Sequence, residues 1–316
     1  MTAFWQGAAY GLGAGIIVGV GTIFGVWGER KVAGRIQKRY GPNTAPVFGI
    51  VQLVYDLVKL LTKEDIHPTQ AKRGIFNIAP LFLTTPIIAS LVVIPFAAGW
   101  APLDSSIGIL FFLAVPSISV LGVLLAGWSQ GNTYASLGGL RGAAQMVSYE
   151  VPRSLAVLSV VMLAGTLQPT RFVSEWRIWW LPLTFIAFVV YFIASIAELN
   201  RGPFDLAECD SELVGGYFTD YSGIRWAMFM MSEYGGLVAT TLFGSVIFLG
   251  AGWPFTGALG VLVLILKTVL LVVLFMWAKW TFPRMRPDQL MSTAWKVLTP
   301  MALVQILIIG LVIPWL

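Results

Sequence analysis

Long apolar runs, broken by short polar connections, fill the chain from end to end. Eight runs have cores near 11–28, 76–97, 107–127, 146–167, 179–197, 227–251, 258–280 and 297–315. A bilayer-spanning helix needs about 20 mostly apolar residues, so the pattern predicts eight spans. Strands of an outer-membrane barrel would give short segments of alternating hydrophobicity instead. No strong internal repeat and no linker interrupts the series, and residues 1–316 read as one transmembrane domain. The expected fold class is an all-α polytopic membrane protein with about eight transmembrane helices plus an interfacial amphipathic helix. The start of the chain lacks the charged head and cleavage site of a secretory signal, so 11–28 reads as a retained first span.

That amphipathic helix lies in the connection after the first span, at residues 48–63, FGIVQLVYDLVKLLTK. Gln52, Asp56, Lys59 and Lys63 recur at helical spacing and form one polar stripe on an otherwise apolar helix. It is short for a span and charged, so it should lie along the membrane interface. Asp56 and Lys59 can meet at i, i+3. Two readings are open: a helix packed on the bundle for structure alone, and the wall of a ligand cavity at the membrane surface.

Composition agrees with the pattern. The chain is 57% hydrophobic and 11% charged, with a mean hydropathy of +0.81. Its cations set the orientation, because Lys and Arg concentrate in cytoplasmic loops. The odd-to-even connections carry sixteen, nine of them between the first two spans, whereas the other side has only Arg171 and Arg177. The basic connections are therefore expected inside, with both termini on the outer side. One cysteine (Cys209) and one histidine (His67) support neither a cysteine-ligated iron–sulfur cluster nor bis-histidine haem nor a disulfide. Cys209 reads as a small side chain and His67 as a loop residue.

The acids are not evenly spread. Residues 197–222, AELNRGPFDLAECDSELVGGYFTDYS, hold six of the fifteen: Glu198, Asp205, Glu208, Asp210, Glu212 and Asp220. Only Arg201 offsets them in that window. They begin a cytoplasmic-side loop, about 197–226, beside the basic first connection. Carboxylates cost most to ionise where water is scarce, and close neighbours titrate as a coupled set. A helix over 206–214 would put Glu208 and Glu212 on one face. Glu150 and Glu233 lie within or near spans, where an ionisable residue is a functional-site hypothesis by default. Asp104 and Glu175 read as solvated outer-loop acids. Pro116 and Pro152 can loosen their helices and free backbone carbonyls. The residues alone lead to a membrane protein handling protons or ions from a cytoplasmic-side cavity, or to a solvated loop whose acids pair with the basic connection.

The acidic stretch resembles the fifth-to-sixth loop of the quinone-site membrane subunit of respiratory complex I, the NADH dehydrogenase subunit 1 family. ERKVAGRIQKRYGPN resembles the family's end of span one, and FGIVQLVYDLVKLLTKED its amphipathic helix. GWSQGNTYASLGGLRGAAQMVSYE and PRMRPDQLMSTAWKVLTP resemble two further connections, so the likeness covers nearly the whole chain. Departures are local: Ala45-Pro46-Val47 moves a proline by one place, Asp210 and Asp220 stand where glutamate is usual, and Cys209 replaces a small residue.

The resemblance implies a subunit of a proton-pumping NADH:quinone oxidoreductase that carries no redox centre itself and anchors the peripheral arm. Quinone would be the substrate, and FMN and iron–sulfur clusters would sit in partner subunits. Glu29, Arg30, Gln37, Arg39 and Asp56 would line or gate the quinone cavity. Glu150, Glu198, Asp205, Glu208, Asp210, Glu212, Asp220 and Glu233 would couple protons, with Arg141, Arg201, Arg284 and Arg286 as charged partners. Implied partners are the peripheral-arm subunits holding the terminal cluster, small membrane subunits, antiporter-like pumping subunits and the lipid bilayer; nucleic acid is not among them. The Ala-, Gly- and Val-rich composition points to the cell (inner) membrane of a bacterium or archaeon. The alternatives are the membrane anchor of an energy-converting hydrogenase, a stand-alone ion transporter and a purely structural assembly subunit. The full ERK–GPN motif favours quinone, and the lack of an inverted repeat disfavours the transporter.

Overall fold

The computed structural model describes residues 2–46, 48–96, 100–208 and 210–315. Cys209 and the side chain of Asp210 lie outside the described residues, as does Val47 of the shifted proline turn. The described chain is helical throughout, with no strand element. Six helices are long and apolar enough to cross a membrane: residues 5–36, 73–91, 108–129, 133–164, 257–281 and 287–312. Two further elements occupy the other expected spans. They are the 14-residue α9 (Phe185–Glu198), which follows the short α8 (Trp180–Leu183), and the 25-residue α11 (Gly223–Ile247).

The elements before α8 are α1 (Thr2–Ile36), α2 (Val51–Thr62), α3 (Arg73–Leu91), α4 (Gly108–Ser117), α5 (Ser119–Ser129), α6 (Thr133–Ala164) and α7 (Pro169–Glu175). α10 (Asp210–Leu213) is one turn in the acidic loop, and α12 (Gly257–Thr281), α13 (Pro287–Thr293) and α14 (Thr299–Val312) complete the bundle. α2 is the expected amphipathic helix, trimmed to 12 residues.

Local chemistry sets the irregularities. Pro116 cannot donate a backbone hydrogen bond, and the third long helix breaks just after it, between α4 and α5. Pro152, by contrast, lies inside an unbroken α6. Pro300 leaves the carbonyl of Lys296 without its helical donor, and the backbone answers with a π turn, Ala294–Leu298, that joins α13 to α14. Asn132 caps α6, its side chain accepting from the Tyr134 N–H at 3.0 Å.

α6 is the organising helix. It packs on α5, α9 and α14, while α3 joins α5 to α11, and α11 in turn carries α1 and α12. α5 and α6 touch backbone to backbone: a side chain at Gly127 would place Cβ 2.6 Å from the Ala135 carbonyl oxygen. Small residues permit such approach where no hydrophobic effect drives helices together. The core includes Tyr149, Val157, Leu237 and Val246, with Phe112 stacked on Phe243 at 3.8 Å. Outward faces remain apolar; Leu262, Leu266, Leu270, Leu307 and Leu311 are all exposed. An exposed apolar belt of that extent fits lipid rather than water.

At the far end from the acidic loop, Lys267 of α12 donates to the carbonyls of Leu249, Ala251 and Trp253 at 2.6, 2.8 and 3.1 Å. One cation thus satisfies the turn that follows α11. Asp104 is exposed in its connection, as expected, and also accepts from Gln168 at 2.6 Å and Thr170 at 2.8 Å, tying two connections together. Glu175 pairs with Arg171 at 2.9 Å.

Candidate functional site

The loop from Leu199 to Ser222 is folded back into the bundle rather than left in water. Gln145 of α6 grips its start, donating to the carbonyls of Ala197 and Phe204, both at 2.6 Å. Gln130 holds its end, donating to the Tyr217 carbonyl and accepting from the Asp220 N–H at 3.0 Å. Tyr221 stacks on Phe76 at 4.0 Å and donates to the Phe76 carbonyl at 3.2 Å. Gly216 makes the fold-back possible: at φ +62° it sits so close that a Cβ would lie 1.7 Å from the Ala207 carbonyl oxygen.

Anchored in this way, the loop inserts Arg201 between helices. Its Nη1 pairs with Glu29 of α1 at 3.0 Å and its Nε with Glu233 of α11 at 3.0 Å. The guanidinium also lies over the Tyr234 ring at 4.2 Å. Glu29 has a second cation, Lys279 of α12, at 2.6 Å. Arg201, Glu29 and Glu233 are 3%, 7% and 12% exposed, so these charges interact in low dielectric. Burial alone would favour a neutral Arg201, but pairing with Glu233 and Glu29 outweighs it and holds the group more firmly charged than usual.

Two loop acids lie beside this network. Glu208 accepts from the Tyr217 hydroxyl at 3.2 Å. Burial, then the charges of Glu233 and Asp205, push its carboxyl well above the usual range. Tyr217 is pushed up too, first by burial and then by Glu208. Asp205 is raised by burial, although Arg284 beside it at 3.4 Å and Lys279 pull the other way. Arg284 Nε also donates to the Asp205 carbonyl at 2.8 Å.

Deeper in the bundle, Glu198 at the end of α9 is ion-paired to Arg153 of α6, with both side chains buried. One turn earlier on α6, Glu150 accepts from Ser117, next to the break between α4 and α5. A small cavity of about 50 Å³ lies beside the Arg153–Glu198 pair, lined also by Asn200, Ser232, Glu233 and Thr240 among others. Arg153 was not among the expected site residues. Its signal was present in the sequence, since an arginine inside an apolar run is a functional hypothesis by default. Counting cations only in the connections passes over it.

Other expectations fall differently. Glu208 and Glu212 do not share a helical face, because only Asp210–Leu213 is helical and Glu208 precedes it. Residues 204–208 ahead of that turn are non-helical, the Phe204 carbonyl held by Gln145 and the Ala207 carbonyl packed against Gly216. Glu212 is exposed and pairs with Arg141 at 2.8 Å. Asp220 lines a separate polar cleft with Gln70, Gln130 and Asn132. Arg286 begins α13, its N–H meeting Gln289 at 3.4 Å, and has no ion pair among the described residues. His67 stays in a connection, within hydrogen-bond reach of Arg225 at 2.7 Å, and Arg225 also pairs with Asp65.

The residues expected to line a quinone cavity divide. Glu29 belongs to the buried network. Arg30 pairs with Asp56 of α2 at 3.0 Å, and Arg39 donates to Gln37 at 2.7 Å beyond the end of α1. These contacts are largely exposed. An apolar groove of about 1040 Å³ runs along α1, α11 and α12, from Ile16 and Leu242 to Trp27, Lys31, Arg35 and Phe48. None of the five expected residues lines it. Among the described residues, no group of three or more His, Cys, Asp or Glu is placed to hold a metal ion.

A family model described as NADH dehydrogenase matches residues 12–310. The H-type subunit of the NADH-quinone oxidoreductase of Brevibacillus brevis is 43% identical over 99% of this chain and 95% of the relative. Proteins of the same name from Bacillus cytotoxicus and Geobacillus kaustophilus are 44% and 42% identical, over 92% and 99% of this chain and 88% and 97% of the relatives.

Proposed function

The chain belongs to the NADH dehydrogenase family, and from that premise we propose that it forms much of a quinone-binding cavity and the acidic start of a proton-coupling path. It is a membrane subunit of a complex I-type oxidoreductase. The observation that carries the finer reading is Arg201, which bridges Glu29 on α1 and Glu233 on α11 in the buried core. α1 is the helix whose end bears the quinone-site motif, and Glu233 adjoins the loop acids. Charge arriving at one end of such a chain of pairs is felt at the other, because low dielectric screens it little.

Reducing a quinone to a neutral quinol takes two electrons from the partner subunits and two protons from groups of the cavity. The groups that give up those protons change charge, and such a change near Glu29 redistributes the hold of Arg201 and Lys279 on their carboxylates. Glu233, Glu208 and Asp205 respond as a coupled set, and Glu198 and Glu150 extend the line into the bundle. The groove along α1, α11 and α12 gives an isoprenoid tail an apolar path from the bilayer, with Phe48 and Trp27 at its basic end.

Eight spans, with the basic connections inside and both termini outside, complete the reading, α9 and α11 supplying the two beyond the six long apolar helices. The Arg30–Asp56 pair fixes α2 along the interface beside the end of α1. Partner subunits hold the flavin and iron–sulfur clusters and dock on the acidic-loop side, and the host membrane is a bacterial cell membrane. The names of the relatives give the hydrogenase anchor and the stand-alone transporter no support.

The test uses membranes with the whole complex assembled to wild-type level. Glu29→Gln should lower donor-to-quinone turnover and uncoupler-sensitive proton uptake together. A variant that keeps both at wild-type level would remove Glu29 from the path and the bridge from the mechanism.

A further inference from the structure

Arg153 is the largest fully buried side chain of the molecule, 1% exposed and in the middle of α6. An arginine does not deprotonate in proteins, so a permanent charge sits inside the bundle. Its Nη1 meets Glu198. Its Nε and Nη2 are buried and have no hydrogen-bond partner among the described residues. Buried donors in native proteins are nearly always satisfied, by protein or by ordered water. The cavity beside them, about 50 Å³, has polar walls from Glu198, Asn200, Ser232 and Glu233. That volume clears the roughly 10–15 Å³ a cavity needs to hold water.

We propose that Arg153 is a positioning residue: it is the fixed counter-charge of Glu198 and the anchor of a water cluster that connects Glu198 to Glu233. The inference rests on the proton-coupling reading above. It adds the link between the Arg201 network and the Glu198–Glu150 end of the line, between which the described residues form no side-chain hydrogen bond or ion pair. The charged and titratable groups facing Glu198 are Arg153 and Glu150 from α6, Glu233 across the cavity from α11, Tyr217 from the loop, and Tyr191 on α9 itself. α14, also packed on α9, has no ionisable side chain, and Lys296 of the π turn is exposed. Arg153 is thus the one cation among them, and its removal leaves Glu198 without a counter-charge in that set.

The experiment compares Arg153→Gln, Arg153→Lys and the double variant Arg153→Gln/Glu198→Gln in the assembled complex. The double variant leaves no lone buried charge, so it assembles even where the single one does not. In Arg153→Gln the quinone KM should stay near wild type while kcat falls. The acid limb of its pH–turnover profile should move up by about 1 to 3 pH units, the range over which a neighbouring opposite charge shifts a carboxyl. Arg153→Lys should move it back, and the double variant should lack the displaced limb. A redox-induced infrared band of bound water, identified by its shift in H₂¹⁸O, should be lost in Arg153→Gln. An unshifted acid limb, or a water band retained in Arg153→Gln, would overturn the proposal. Wild-type behaviour of Arg153→Gln alongside an uncoupled Glu233→Gln overturns this inference alone. Full coupling in Glu233→Gln overturns the reading beneath it.

Discussion

At the scale of single residues, the site depends on carboxyl groups that burial keeps from behaving like surface acids. Glu208 is the clearest case, raised by burial first and by Glu233 and Asp205 next. A raised folded-state value means the folded chain holds that proton more tightly than the unfolded chain does. The linked stability is complete below the unfolded pKa and is lost as pH rises through the folded one. On acid titration wild type should therefore gain an infrared band of a protonated carboxyl at a higher pH than an ordinary glutamate does, and that band should be missing in Glu208→Gln. The band should fade on alkaline titration. No difference between the two spectra would mean that Glu208 is ionised and solvated.

Much of this residue-level picture was legible. Ionisable groups stand out against an apolar chain, so Glu29, Arg201 and Glu233 could be singled out before any geometry was known. What the sequence did not carry was which of them meet. Glu29 was expected at the quinone cavity and Arg201 among partners of the loop acids, yet one guanidinium holds both sets. Arg153 escaped notice because it lies inside an apolar run, where cations of the connections are not counted, although its partner Glu198 was singled out.

At the scale of elements, the acidic loop shows how local propensity yields to tertiary contact. A helix through Glu208 and Glu212 satisfies spacing alone, but Gln145, Gln130 and Tyr221 fasten the segment at fixed points that a longer helix could not reach. Gly216 is the hinge of that arrangement. Gly216→Ala must either leave a left-handed conformation or drive Cβ into the Ala207 carbonyl. Left-handed strain alone costs about 1–3 kcal/mol, so the variant should lower the midpoint of thermal unfolding and the quinone turnover of the complex. An unchanged midpoint with unchanged turnover would show that the loop does not fold back on Ala207. The amphipathic helix was readable because its polar stripe is a one-dimensional pattern; its true ends depend on Gly49, at φ +88°, and on the Lys63 cap. The break near Pro116 was readable as a possibility, and the intact helix through Pro152 shows that proline alone does not decide it.

At the scale of the whole molecule, an apolar body encloses a polar interior. It comprises the Lys279–Glu29–Arg201–Glu233 network with Glu208 beside it, and a second group of Glu198, Arg153 and Glu150. The helices around it expose leucine and valine outward and keep charge inward, an arrangement that only a membrane environment makes stable. Hydropathy gave the fold class directly, because lipid forces backbone groups to be satisfied within helices. It was less decisive for α9, at 14 residues, and for α11, whose polar residues serve the site.

The most direct test of the account is the behaviour of Glu233→Gln in membranes where the complex assembles to wild-type level. Electron transfer to quinone and uncoupler-sensitive proton uptake would be followed in the same preparation. Because Arg201 joins Glu233 to Glu29, both rates should fall together. Quinone reduction and proton uptake that both continue at the wild-type rate would contradict the account, leaving the buried network as structural support alone.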